Sequence, residues 1–103
     1  MPNAVRAAAL AALLGCCAAG AHAQEEEEGR KLFRTVTPAC AVCHTLKDAG
    51  ATGEIGPSLD ELKPDAAPVV KALRNGIGLM PAFPQLTEAQ VQALARYVER
   101  ATR

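Results

Sequence analysis

Apolar residues return at helical spacing most clearly near the end of the chain. Val91, Leu94, Ala95 and Val98 mark one face of a helix there. Thr87 and Gln90 stand three apart just before it, the spacing of a capping box, and Leu86 and Val91 stand where a hydrophobic staple closes it. "QEEEEGRKLFRT" predicts a second helix whose acids come first and bases later, the order that suits the helix dipole. Glu25 to Glu28 are expected to be its solvated, partly frayed start. "DAAPVVKALRNG" predicts a third, entered near Asp65 and stopped by Gly76; Pro68 falls in its first turn, where no internal donor is lost. "SLDEL" adds one or two helical turns, with Ser58 and Glu61 again spaced as a capping box. "LKDAGATGEIGPS" and "IGLMPAFPQ" are broken by Gly and Pro and predict loops. No strand pattern is found. The expected chain is all-α, with three main short helices and long irregular connections.

The first 23 residues read as a segment that is removed. "MPNAVR" is a short basic start, "AAALAALLGCCAAG" an uncharged apolar run, and "AHA" (Ala21, His22, Ala23) the small-x-small pattern of a signal peptidase site. The apolar run falls short of the roughly 20 residues that a membrane span needs. The expected division is a signal peptide over 1–23 and one domain over 24–103. A second reading takes "LLGC" (Leu13 to Cys16) as a lipoprotein site, with a lipid on Cys16 and His22 retained.

Cleavage after Ala23 changes the composition. It removes only Arg6 of the 11 basic residues and none of the 11 acidic ones, leaving a formal charge of −1. That excludes the strongly basic face a nucleic-acid binder needs. Cys16 and Cys17 also leave, so the four cysteines do not form a disulfide framework and only Cys40 and Cys43 remain. A remainder of about 80 residues with Phe33, Phe83, Tyr97 and no Trp makes a poor core by itself. Domains of that size commonly need a metal, a disulfide or a cofactor.

"CAVCH", Cys40 to His44, has four possible meanings: a covalently attached haem, a zinc site, a catalytic disulfide, or no special role. Structural zinc takes four ligands, usually from two spaced pairs, and no second pair is present after cleavage. A thioredoxin-type pair belongs after a strand in an α/β setting, which this chain does not predict. C-x-x-C-H is the attachment pattern of c-type haem. Each thiol can form a thioether to one vinyl group of a porphyrin, and His44 then lies under the iron. An exported thiol pair would otherwise tend to oxidise, and thioethers prevent that. One axial position is left over. After cleavage Met80 is the only methionine and His44 the only histidine. Met80 stands in a loop held by Pro81 and flanked by glycines. The alternative for a lone Met is filling of the core.

With these residues named, the chain resembles the class I cytochromes c, particularly the short bacterial and algal carriers, over nearly all of residues 26–101. "CAVCH" matches their attachment motif without departure, and "GLMPAF" looks like their methionine-ligand loop. "GPSL" (Gly56 to Leu59) looks like the loop whose Pro carbonyl accepts from the proximal imidazole; that role would fall to Pro57. Gly29 and Phe33 match positions that pack against the last helix, at Leu94 and Tyr97. Two departures accompany the likeness. No Trp exists to hold a haem propionate, which leaves Arg74, Asn75 and Lys63 as candidates. The interval from His44 to Met80 is short, which implies an exposed haem edge.

The resemblance implies a cytochrome c fold around one haem c, bound by Cys40 and Cys43 with axial ligands His44 and Met80. It implies transfer of single electrons between periplasmic redox proteins: a donor dehydrogenase or cytochrome complex, and an acceptor oxidase. Ala39, Val42, Pro81 and Phe83, with Lys47 nearby, would form a small docking rim. The near-neutral charge implies little long-range steering and brief contacts, so a monomer or weak complex is expected, with no membrane span in the mature chain. Two other readings remain: a haem subunit of one periplasmic dehydrogenase, and a ligand-binding haem protein with displaceable Met80.

Overall fold

The computed structural model describes residues 20–103. Cys16, Cys17 and most of the expected leader lie outside the described residues. Helix α1 covers residues 20–35. It is followed by α2 (Cys40–Cys43), β1 (Thr45–Leu46), β2 (Ala51–Thr52), α3 (Leu59–Leu62), α4 (Ala66–Asn75) and α5 (Glu88–Ala101). The three main helices are those expected.

Helix α1 crosses α5 at Gly29. A Cβ on Gly29 would stand on Tyr97 Cβ, 2.7 Å from Tyr97 Cγ and 3.1 Å from Ala93 O, so the crossing requires a residue without one. One turn on, the Phe33 and Tyr97 rings meet edge to face, 6.3 Å apart at 67°. Both are buried together with Leu94, Leu73 and Val70, and the predicted α5 face of Val91, Leu94, Ala95 and Val98 is buried throughout. Each such large apolar side chain adds about 1.5–3 kcal/mol relative to exposure.

The acidic start of α1 differs from expectation. Glu25 pairs with Arg96 and Arg100, and Glu26 pairs with Arg100. The two arginines stand four apart on α5 and so share one side of it, where the first turns of α1 run alongside. Exposed pairs of this kind stabilise little individually. Their effect is to fix how far α1 slides along α5.

Capping follows the sequence at α5 and departs from it at α3. At α5, Gln90 N donates to Thr87 Oγ1 (3.2 Å) and Thr87 N donates to Gln90 Oε1 (2.9 Å), the predicted reciprocal box. At α3, a single turn of 4 residues, Ser58 makes no side-chain cap. At α4, Asp65 makes no cap either. Its carboxylate pairs with Arg103, while Glu99 of α5 accepts from Ala66 N. In that case a tertiary partner has replaced the local one.

The expectation of no strand is corrected. β1 and β2 pair antiparallel, Thr45 opposite Thr52 and Leu46 opposite Ala51, around a 3-10 turn at Lys47–Ala49. Strands of two residues are too short to show alternation in the sequence. The turn is anchored from outside. Tyr97 Oη donates to Asp48 Oδ2 (2.7 Å), Arg30 Nη2 donates to the same oxygen (3.1 Å), and the Arg30 guanidinium lies 5.8 Å above the Tyr97 ring.

That anchor predicts a pH dependence. The Tyr97 hydroxyl, and then Arg30, hold the Asp48 carboxyl below its ordinary value of 3.8, while burial, and then Asp48, push the Tyr97 phenol well above the usual range. A carboxylate lowered in the folded state adds stability that is present above its unfolded value and lost as pH falls through the folded one. Asp48→Asn is therefore expected to lower the urea midpoint at neutral pH. Its gap from the parent should narrow as pH drops below 3.8. A gap independent of pH would remove the carboxylate's charge from the account.

Candidate functional site

Two thiols and a histidine meet at the single turn of α2. Cys40 and Cys43 are three apart, on one face of that turn. Both are half-buried and unpaired. Burial pushes the Cys40 thiol up to about 11, with the neighbouring Cys43 adding to the rise and a backbone hydrogen bond opposing it. A protonated thiol is a poor nucleophile for disulfide exchange. The turn closes with His44 N donating to Cys40 O (2.9 Å), and His44 then leaves in an extended conformation, φ −121° and ψ 138°.

The His44 ring is held from one side by the 53–58 loop. Its Nδ1 lies 2.7 Å from Pro57 O. A carbonyl only accepts, so Nδ1 carries the proton and Nε2 presents a lone pair. Gly56 lies flat against the ring: a Cβ there would be 2.6 Å from Cε1 and 3.1 Å from Nε2. Gly56 N also donates to Cys43 O (2.6 Å), which seats the loop on the end of α2. The sequence marked Gly56 as loop punctuation and as the first residue of "GPSL"; its contact with the imidazole could have been drawn from its place just before Pro57.

Met80 is presented by a small backbone loop. Ile77 N donates to Met80 O (3.0 Å) and Met80 N donates to Ile77 O (2.9 Å), leaving Gly78 and Leu79 at the tip. Phe83 N donates to Leu73 O (2.8 Å), tying the loop to α4. Met80 is half-buried against the core.

One expected role changes. Phe83 is only 4% exposed and belongs to the core, so it is not part of a docking rim; the backbone bond to Leu73 turns its ring inward. Arg74 pairs with Glu88 of α5, which gives its guanidinium a protein partner. Val42, already placed on the rim, is joined by Ile55, Leu62, Ile77 and Leu79, which the sequence did not single out. All five are large aliphatic residues exposed on the segments around Cys43, His44, α3 and Met80, with Leu79 97% open.

The family described as cytochrome c oxidase, cbb3-type, subunit III matches residues 24–98. The crystal structure of the c-type cytochrome SorU from Sinorhizobium meliloti is similar in fold, with a TM-score of 0.75. It is 50% identical over 77% of this chain and 92% of that one. The chain is a c-type cytochrome. No curated protein sequence matches it.

Its all-α architecture is thus the cytochrome c fold, and membership carries one haem c joined covalently through Cys40 and Cys43. The local residues fit that group. The two thiols are unpaired and share a helix face, and several large aliphatic residues stand uncovered on neighbouring segments. Among the described residues, no three His, Cys, Asp or Glu side chains come together as a metal site. No described helix is long and apolar enough to cross a membrane.

Proposed function

We propose that this cytochrome carries single electrons between periplasmic redox proteins, with His44 and Met80 as the two axial ligands of its haem iron. The observation that carries the reading is the His44 ring. It directly follows the two thiols, its Nδ1 is engaged by Pro57 O, its face is set by Gly56, and its Nε2 is left to coordinate. Met80 is the only methionine of the described residues, and its loop is closed by two backbone bonds.

The bound haem supplies one reversible electron by cycling between Fe(III) and Fe(II). The protein's part is to hold both axial positions, so that nothing else binds there, and to set the potential. Pro57 O fixes the tautomer and plane of His44. The neutral thioether of Met80 raises the potential relative to anionic ligands, and an apolar surround works in the same direction. Ala39, Val42 and Pro81, with Lys47 beside them, offer a small surface for brief contact with a donor dehydrogenase or cytochrome complex and an acceptor oxidase. Residues 1–23 act as the export signal and are removed, leaving 24–103 as the working domain.

Carbon monoxide tests the closed coordination. At neutral pH the reduced parent protein is expected to keep its spectrum under carbon monoxide, while Met80→Ala takes the gas up. Rapid uptake by the parent would make it a ligand-binding haem protein instead. A second reading is favoured by the matched family, which is described as a subunit of an oxidase. Under it this chain is the haem subunit of one periplasmic oxidoreductase. Co-elution with a single enzyme through gel filtration would select it over a free shuttle.

A further inference from the structure

Two stretches of chain beside His44 run together in register. Gly56 N donates to Cys43 O (2.6 Å), His44 Nδ1 donates to Pro57 O (2.7 Å), and Lys47 N donates to Asp60 Oδ2 (2.9 Å). Each of these pairs is separated by 13 residues. Segments 43–47 and 56–60 therefore lie side by side and point the same way. The Thr45 hydroxyl adds a bond to Gly53 O (2.8 Å) outside that register.

The rungs differ in kind. The first joins backbone to backbone, the second joins a side chain to backbone, and the third joins backbone to a side chain. Only the third depends on a replaceable side chain outside the haem-binding residues. Asp60 is the second residue of α3, and α3 has no side-chain cap at Ser58 to fix where it starts. Leu59 beside it and Leu46 opposite are both buried, so sliding of α3 along the 43–47 segment would disturb the core as well as Pro57.

We infer that Asp60 is a positioning residue for His44: by accepting from Lys47 N–H it pins the start of α3 to the segment after the histidine, and so holds Pro57 O on His44 Nδ1. The inference rests on the reading of His44 as an axial ligand. The Nδ1–H bond lends the imidazole electron density that favours the oxidised iron, and a loosened bond raises the potential. Removing a nearby negative charge raises it too, so the charge must be separated from the hydrogen bond.

Asn keeps an acceptor oxygen and loses the charge, whereas Ala loses both. In the haem-loaded protein, Asp60→Ala is expected to speed solvent exchange of the His44 Nδ1 proton about tenfold, followed by NMR in the reduced state, and to raise the midpoint potential. Asp60→Asn is expected to match the parent in exchange and to raise the potential by less than Asp60→Ala, through the lost charge alone. Equal potential shifts in the two variants would make Asp60 a simple charge, and no change in either would remove it from the site; both results overturn the inference. A measurement on the parent avoids dependence on folding of the variants. The Lys47 amide and the His44 Nδ1 proton should exchange with the same denaturant dependence, as members of one opening unit. A Lys47 amide that exchanges freely while Nδ1–H stays protected also refutes the inference. A parent spectrum without histidine ligation would instead strike the underlying reading, and it is seen before any variant is made.

Discussion

Gly29→Val is expected to yield no cooperatively folding protein, and Gly29→Ala to lose about 3 kcal/mol or more. Helix propensity points the other way, since Ala is better than Gly inside a helix by about 1 kcal/mol. Sterics decide the sign. A Cβ at Gly29 would occupy the place of Tyr97 Cβ and lie 3.1 Å from Ala93 O. Those neighbours are the innermost atoms of α5, not the flexible end of a side chain, so the helices must separate. Separation would also break the Phe33–Tyr97 edge contact and pull Tyr97 Oη from Asp48. A domain of this size has about 5–15 kcal/mol of stability in total. Urea melts of the haem-loaded protein measure the loss, and a Gly29→Ala variant as stable as its parent would contradict the close crossing.

Removal of both thiols should be as severe for the cofactor. In Cys40→Ala with Cys43→Ala, essentially all haem is expected to be lost on denaturing extraction, whereas the parent keeps its haem on the polypeptide. Each single variant should keep one thioether. The effect on folding follows from size. About 80 residues bury too little surface to be robust alone, and Val42, Ile55, Leu62, Ile77 and Leu79 stand exposed on the polypeptide. The double variant should therefore expose apolar surface and aggregate or be degraded on export. Haem that stays with the double variant through denaturation would refute attachment at these cysteines.

What the sequence made legible was what local chemistry determines. The α5 capping box and apolar face needed only neighbours within a turn or two, and both are present as expected. "CAVCH" and "GPSL" carried the site, because one motif sets two thiols and a histidine on a single turn and the other brings a proline carbonyl to that histidine. Features decided by distant residues stayed hidden. Glu99 caps α4 from 33 positions away, and Asp65, the local choice, turns to Arg103 instead. Glu25 and Glu26 read as solvated because Arg96 and Arg100 lie more than 70 positions on. Phe83 looked like rim because it is an apolar residue in the Pro-rich loop that carries Met80, but it is buried, with its backbone bonded to Leu73. The Lys47–Asp60 rung had no signal at all, since an aspartate early in a short helix is ordinary on its own.

The oxidised visible spectrum of the haem-loaded protein, compared with that of Met80→Ala, tests the central claim most directly. The account predicts a c-type spectrum with a weak sulfur-to-iron band that disappears in the variant. A covalent haem without that band in the parent, or a band that survives loss of Met80, would contradict the His44/Met80 carrier.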